Sequence, residues 1–174
     1  MIDVYEHIGK VVARKVGAEP VSVVGIRRYL EAHQLSCPVY YDEAAAKEAG
    51  HSGIIAPWSM LLTMAMSAYW SPGDPPLEPE VLPPFFWSQV VPEGWDSMTN
   101  RVEVEHFVPL HLGDVVYSEY KITAVTPKRT RLGDGEFIDF EVTFTNQHGT
   151  LLAIERTSVF RYPPNPNAEE HPVG

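Results

Sequence analysis

Apolar residues recur every three to four positions in the first part of the chain, and that spacing gives way to alternation and β-branched runs in the last part. Val23, Ile26, Tyr29 and Leu30, separated by Arg27, Arg28 and Glu31, predict a helix over Val21–His33 with Ser22 as its N-cap. Asp42 to Ala49 is Ala-rich and stops at Gly50, which predicts a second, short helix N-capped by Asp42. From Pro57 to Tyr69, Leu61, Leu62, Ala65, Met66 and Tyr69 are apolar almost all round, which predicts a third helix buried against other elements. Arg101–Phe107 alternates charged and apolar side chains. Val115–Val125, Phe137–Thr145 and Leu151–Arg161 are rich in β-branched and aromatic residues. Turn residues at Leu132-Gly133-Asp134-Gly135 and at Gln147-His148-Gly149 join the last three strands into a meander.

Between these halves lies a stretch rich in proline: Pro72, Pro75, Pro76, Pro79, Pro83, Pro84 and Pro92. Proline fixes φ and removes a backbone donor, so a long loop is expected over 71–98. Its Leu82, Phe85, Phe86 and Trp87 call for an apolar surface or a partner to cover them. The residues from 163 to 174 read as a disordered tail. Helices first, one of them long and apolar, then antiparallel strands, predict an α+β domain over residues 1–162. The order fits a hot-dog architecture, a sheet wrapped around one long central helix, and one face of it is left needing a dimer partner.

The chain has 174 residues, a size for one domain. Thirteen Lys and Arg against 23 Asp and Glu give a net charge of -10, which speaks against nucleic-acid and anionic-membrane surfaces. The single cysteine, Cys37, excludes a disulfide framework and a cysteine-cluster zinc site, and fits the cytoplasm. The N-terminal residues carry Asp3, Glu6 and His7 rather than an apolar core, so no signal peptide is expected, and no membrane span either.

Four short runs carry more specific information: Cys37-Pro38-Val39-Tyr40-Tyr41-Asp42, Gly53-Ile54-Ile55-Ala56-Pro57, Gly113-Asp114, and Thr145-Asn146-Gln147-His148-Gly149. In this order they resemble the MaoC-like dehydratases, in particular their N-terminal or FAS1-like branch, over roughly Ile8 to Tyr162. The resemblance implies a hot-dog fold acting on acyl thioesters. Active members hydrate a trans-2-enoyl thioester with an Asp-x-Asn-Pro-x-His motif, in which Asp and His hold the water and move its protons. A following Ala-His-Gly starts the central helix, whose N-terminus polarises the thioester oxygen.

In this chain Cys37-Pro38 takes the Asn-Pro place, so Leu35 stands where the family has its Asp and Tyr40 where it has its His. Leucine cannot titrate, and tyrosine has an ordinary pKa near 10, poorly matched to a base at neutral pH. Ala56-Pro57-Trp58 replaces Ala-His-Gly, and Trp58 fills the place of the glycine. The resemblance therefore implies the half that lacks the catalytic pair and works beside a subunit that has it. The expected acyl-thioester contacts are Ile55, Ala56, Trp58, Leu61, Leu62, Met66, Phe86 and Trp87. Lys128, Arg129 and Arg131, the densest basic cluster, are the candidates for coenzyme A phosphates. No metal or cofactor is expected beyond the acyl-CoA or acyl-carrier substrate. The loop suggests a bulky acyl group such as a steroid side chain.

Alternatives stay open: a homodimeric acyl-thioester binding protein without chemistry, or a hot-dog thioesterase using Asp42 or a histidine. His33 and His51 flank the degenerate motif, and each reads as a replacement base or as a surface histidine. His106 and His111 are expected on opposite faces, unsuited to a shared metal. Cys37 has no readable His-Asp arrangement around it. Met60, Met64 and Met66 read as core or as the lining of an acyl tunnel.

Overall fold

In the computed structural model, residues 2–75 and 89–164 are described. Five strands form one antiparallel sheet in the order β1-β3-β4-β5-β2. They are β1 (Val11–Val16), β2 (Asp96–His106), β3 (Tyr117–Thr130), β4 (Gly133–Thr145) and β5 (Leu151–Tyr162). β3, β4 and β5 form the predicted meander. A two-residue turn, Arg131-Leu132, closes the first hairpin, so the glycines expected in that turn already belong to β4. The second hairpin turns at Asn146–Thr150, where Gly149 takes a positive φ and its N–H donates to the Asn146 carbonyl (2.9 Å).

The sheet is buried on one face. Ile138, Phe140, Val142 and Phe144 of β4 alternate inward and divide between two apolar clusters. The larger joins Val142, Phe144 and Ala153 to Ile26, Leu30, Ala56, Met60 and Leu61 of the helical segment. The smaller joins Ile122, Ile138, Phe140 and Val159 to Val4 and Val90. Register carries this face across to β2, because Val104 lies opposite Glu155 and Val142 lies opposite Glu155 on the other side.

Helix α1 runs from Val23 to His33, with the Ser22 hydroxyl accepting from the Gly25 N–H (3.0 Å) as the sequence predicts. It ends at Gln34 in the left-handed region, and the Leu35 N–H donates back to the Leu30 carbonyl (3.1 Å). This closure ordinarily carries an apolar residue one position past the left-handed one, and here that residue is Leu35. Helix α2 spans Glu43–Glu48, capped by Asp42, whose carboxylate accepts from the N–H groups of Ala44 (2.8 Å) and Ala45 (3.1 Å).

Three expectations need correction. Among the described residues no long central helix forms: a 3₁₀ turn over Trp58–Met60 runs into α3, Leu61–Met64, and stops. Met66 and Ser67 are drawn off by the end of β1. The Ala18 N–H donates to the Met66 carbonyl (2.9 Å) and the Ser67 hydroxyl to the Val16 carbonyl (2.9 Å). Leu62, Met66 and Tyr69 are consequently exposed in this chain rather than buried all round. Second, β1 lies in the zone read as helical. Its Val-Val-Ala-Arg-Lys-Val sequence lacks strict alternation, and its partner β3 is about a hundred residues away. Third, β2 starts at Asp96, inside the expected loop 71–98. Phe86 and Trp87, the centre of that loop, and the tail from 165 lie outside the described residues.

Candidate functional site

The two degenerate motifs meet because their backbones are joined. A 3₁₀ turn over Pro38–Tyr40 follows Cys37, and the Ile55 N–H donates to the Val39 carbonyl (3.3 Å). The Ala56 N–H donates to the Leu110 carbonyl (2.8 Å), and Ile55 bridges to His111. The extended run 53–57 is thus strung between the motif turn and the β2–β3 connection. Pro57, fully buried, delivers the chain into the Trp58 turn.

Leu35 and Tyr40 line one open cleft, together with Val23, Leu30, Tyr41 and Ile54. Its charged members are Arg27 and Glu31. Glu31 is held by Arg27 (3.1 Å) and Arg28 (2.8 Å), and hydrogen bonds from Arg28 and Arg27 keep its carboxyl below the ordinary glutamate range. It is a poor proton acceptor. Burial, and secondarily the neighbouring Cys37, push the Tyr40 phenol above its usual value, so it is protonated at neutral pH. His33 stacks on Tyr29 (4.1 Å) with Nδ1 at the Tyr29 carbonyl (3.0 Å), outside the cleft lining. Asp42 is occupied as a helix cap, and Cys37 is exposed.

A second feature lies at the Trp58 turn. The indole of Trp58 tilts against the imidazole of His106 at 4.8 Å, over a narrow crevice lined by Pro57, Leu61, Val108, Leu110 and Leu152. Burial lowers the His106 pKa below 6.5, so the ring is neutral at neutral pH. From the sequence His106 stands out only beside His111, as a pair unsuited to a metal. Its packing against Trp58 needed the β2–β5 register, in which His106 faces Ala153. Of the expected acyl contacts, Trp58 and Leu61 line this crevice, Ile55 and Ala56 are buried outside its lining, and Leu62 and Met66 are exposed. Lys128, Arg129 and Arg131 are exposed at the β3–β4 hairpin, at the opposite end of the sheet. Among the described residues no three His, Cys, Asp or Glu side chains gather as a metal site, and no helix is long and apolar enough to cross a membrane.

Gly113-Asp114 and Asn146-Gln147 form a clamp. The buried Asp114 carboxylate accepts from the His111 N–H (2.8 Å) and from Asn146 Nδ2 (3.1 Å). Asn146 Oδ1 accepts from the N–H groups of His148 and Thr150 (both 3.0 Å), and Gln147 Oε1 from that of Val115 (2.8 Å). Backbone bonds tie the same corner to the entry of α1, from Val21 N–H to the Asp114 carbonyl and from Gly113 N–H to the Val21 carbonyl (2.8 Å each). These motif residues hold the corner beside Ile55 and the turn; their role is positional.

The profile of the "FAS1-like, dehydratase domain region" matches residues 6–155. A protein of Thermomonospora curvata named "Probable enoyl-CoA hydratase alpha subunit" is 32% identical over 151 residues, covering 85% of this chain and 47% of its own. The "3-oxo-4,17-pregnadiene-20-carboxyl-CoA hydratase alpha subunit" of Mycobacterium tuberculosis is 29% identical over 154 residues, covering 82% and 47%. The chain thus spans about half the length of the curated relatives it matches. In fold, it superposes on a chain of the ChsH1–ChsH2 complex of Mycobacterium tuberculosis with a TM-score of 0.71 at 22% identity, covering 98% of this chain and 97% of that one. The architecture is the hot-dog fold, with its helical layer shortened as described.

Proposed function

The chain belongs to the FAS1-like dehydratase family, and from that we propose that it is the non-catalytic part of a heteromeric enoyl-CoA hydratase, or 3-hydroxyacyl-thioester dehydratase. It shapes the acyl pocket, while a MaoC-like partner carrying Asp-x-Asn-Pro-x-His supplies the acid–base pair. The observation that carries this reading is the cleft itself. Leu35 and Tyr40 line it together with Val23, Leu30 and Ile54, and the one carboxylate among its described residues, Glu31, is paired to two arginines. Hydration of an enoyl thioester needs a group that takes a proton from water and one that delivers a proton to C2. A leucine and an ion-paired glutamate do neither, and a phenol held protonated cannot take the proton from water.

The partner's surface in this reading is β2. All eleven of its residues are exposed and it lies at the sheet edge, where its unpaired backbone groups are a ready template for another strand. Val102 and Val104 on its helix-side face, and Leu62 and Met66 of the helical layer, are exposed apolar side chains that such a partner would cover. Two relatives are named as alpha subunits of hydratases, and one of them is named for a steroid-derived acyl-CoA, which supports a bulky acyl group. The substrate proposed is therefore a bulky trans-2-enoyl-CoA, and the compartment a reducing cytoplasm that keeps the exposed Cys37 free.

Affinity purification from the native host tests this. The expected result is a stoichiometric partner bearing Asp-x-Asn-Pro-x-His and a complex that hydrates a trans-2-enoyl-CoA. In that complex Tyr40→Phe keeps turnover within about twofold. A loss beyond ~100-fold, the scale of an acid–base group, overturns the non-catalytic assignment. Recovery of the chain with itself alone favours a homodimeric thioester-binding protein.

A further inference from the structure

Glu155 sits where a carboxylate is costly. Register sets it on the inward face of β5, between Val142 of β4 and Val104 of β2, with Ala153 and Val159 buried on the same face. It is 7% exposed, and it accepts a hydrogen bond from Thr157 Oγ1 (2.8 Å). Among the described residues no lysine or arginine pairs with it. Arg156, its neighbour in sequence, lies on the other face and pairs with Glu105 and Glu141 (both 3.2 Å). Arg161 pairs with Glu136 (3.3 Å). Lys15 shares the inward face, but β1 is three strands away, and its ammonium sits over the Tyr120 ring (5.5 Å). A carboxylate taken out of water with one neutral donor and no counter-ion is destabilising.

The sheet edge lies one strand beyond Glu155. It is β2, whose Val102 and Val104 face inward and are exposed. A partner strand joined to that edge is two spacings from β5, roughly 10 Å at about 4.8 Å each. A charge-assisted hydrogen bond of about 2.8 Å takes part of that distance, and a glutamate and a lysine or arginine, reaching toward each other, take the rest. The aliphatic stem of a basic side chain packs along an apolar residue such as Val104 while its charged head goes beyond it. A second copy of this chain has no such side chain on its own β2. Arg101 is the one lysine or arginine in Asp96–His106. It lies opposite Ser158, next to a Val102 that faces the buried Thr157, so it is on the outward face, where it pairs with Glu103.

Resting on the function proposed above, we propose that the partner subunit docks on β2 with a lysine or arginine directed over Val104, and that this side chain forms a buried ion pair with Glu155. The pair selects which chain joins the edge. A partner strand that brings no cation closes over Glu155 and leaves its charge unpaired, so a second copy is disfavoured relative to a chain that has one. In a chain of net charge -10 the same carboxylate discourages self-association and favours a basic edge.

The test measures Glu155→Gln in the free chain and in the complex. Glutamine keeps an oxygen for the Thr157 hydroxyl and removes the charge. In the free chain the melting temperature stays or rises, because an unpaired buried charge is gone. In the complex the dissociation constant, read by analytical ultracentrifugation, rises at least about thirtyfold, because the partner's cation is left buried without its anion. The lysines and arginines of the partner's edge strand are then replaced by methionine one at a time. One of them loses affinity to the same extent, and combined with Glu155→Gln it costs no more than either change alone. A dissociation constant that is unchanged or lower overturns the proposal, as does the lack of any coupled basic residue. A melting temperature of the free chain lowered by more than about 3 °C also overturns it, because Glu155 then serves its own fold. A complex that assembles but hydrates no enoyl-CoA counts against the proposed function alone, since the dissociation constants still decide the ion pair.

Discussion

Replacing Asp114 tests whether the corner beside the cleft is held by the clamp. The carboxylate is buried and accepts two hydrogen bonds, from His111 N–H and from Asn146 Nδ2. Asp114→Asn preserves size but keeps one acceptor oxygen. Its amide nitrogen then faces a second donor, and Asn146 cannot turn its own oxygen to meet it, because Oδ1 already accepts from His148 and Thr150. One charge-assisted bond is lost and two donors oppose each other, a cost of about 2 kcal/mol. Asp114→Ala removes both bonds and leaves a small void, about 3–4 kcal/mol. At roughly 2–4 °C per kcal/mol for a chain of this size, the melting temperature falls by about 4–8 °C for asparagine and about 6–16 °C for alanine. Thermal and urea unfolding measure both. Losses below about 0.5 kcal/mol for both variants, or a larger loss for asparagine than for alanine, refute the reasoning.

Other outcomes follow from the same geometry. Gly17 packs so closely on the Met64 carbonyl that a Cβ would collide with backbone, so Gly17→Ala should cost about 1–3 kcal/mol in unfolding experiments and loosen the junction of β1 with α3. His106 titrates below the ordinary histidine value because burial disfavours its charged form. The unfolded chain therefore binds the proton first as pH falls, so its contribution to stability is fully present above about 6.5 and is lost as pH falls from there toward the folded value. NMR titration should place its midpoint below 6.5, and His106→Gln should flatten the pH dependence of unfolding in that window.

How much of this was legible beforehand depended on the range of the interaction. Ser22 and Asp42 were readable as caps because a cap bonds within three residues of itself. The meander was readable because its strands are adjacent in sequence and alternate inward, as Ile138, Phe140, Val142 and Phe144 do. β1 was not, because a short edge strand without alternation is defined by a distant partner. The end of α3 was not, because Met66, Tyr69 and Trp70 continue the apolar pattern while β1 captures the backbone at Met66. Leu35 and Tyr40 were readable as the degenerate pair by their place in the motif. That they share a cleft with an ion-paired Glu31 required the fold. That the Trp58 turn and the basic hairpin stand at opposite ends of the sheet required the strand register.

The proposed division of labour, in which this chain has no acid–base chemistry of its own and a partner supplies it, is open to one direct test. The direct measurement is the rate of trans-2-enoyl-CoA hydration by the purified chain alone, by the Asp-x-Asn-Pro-x-His partner alone, and by their complex. The expected result is no hydration by this chain, full turnover by the complex, and loss of turnover beyond ~100-fold when the partner's motif Asp is replaced. Hydration by this chain alone at the rate of the complex would contradict it.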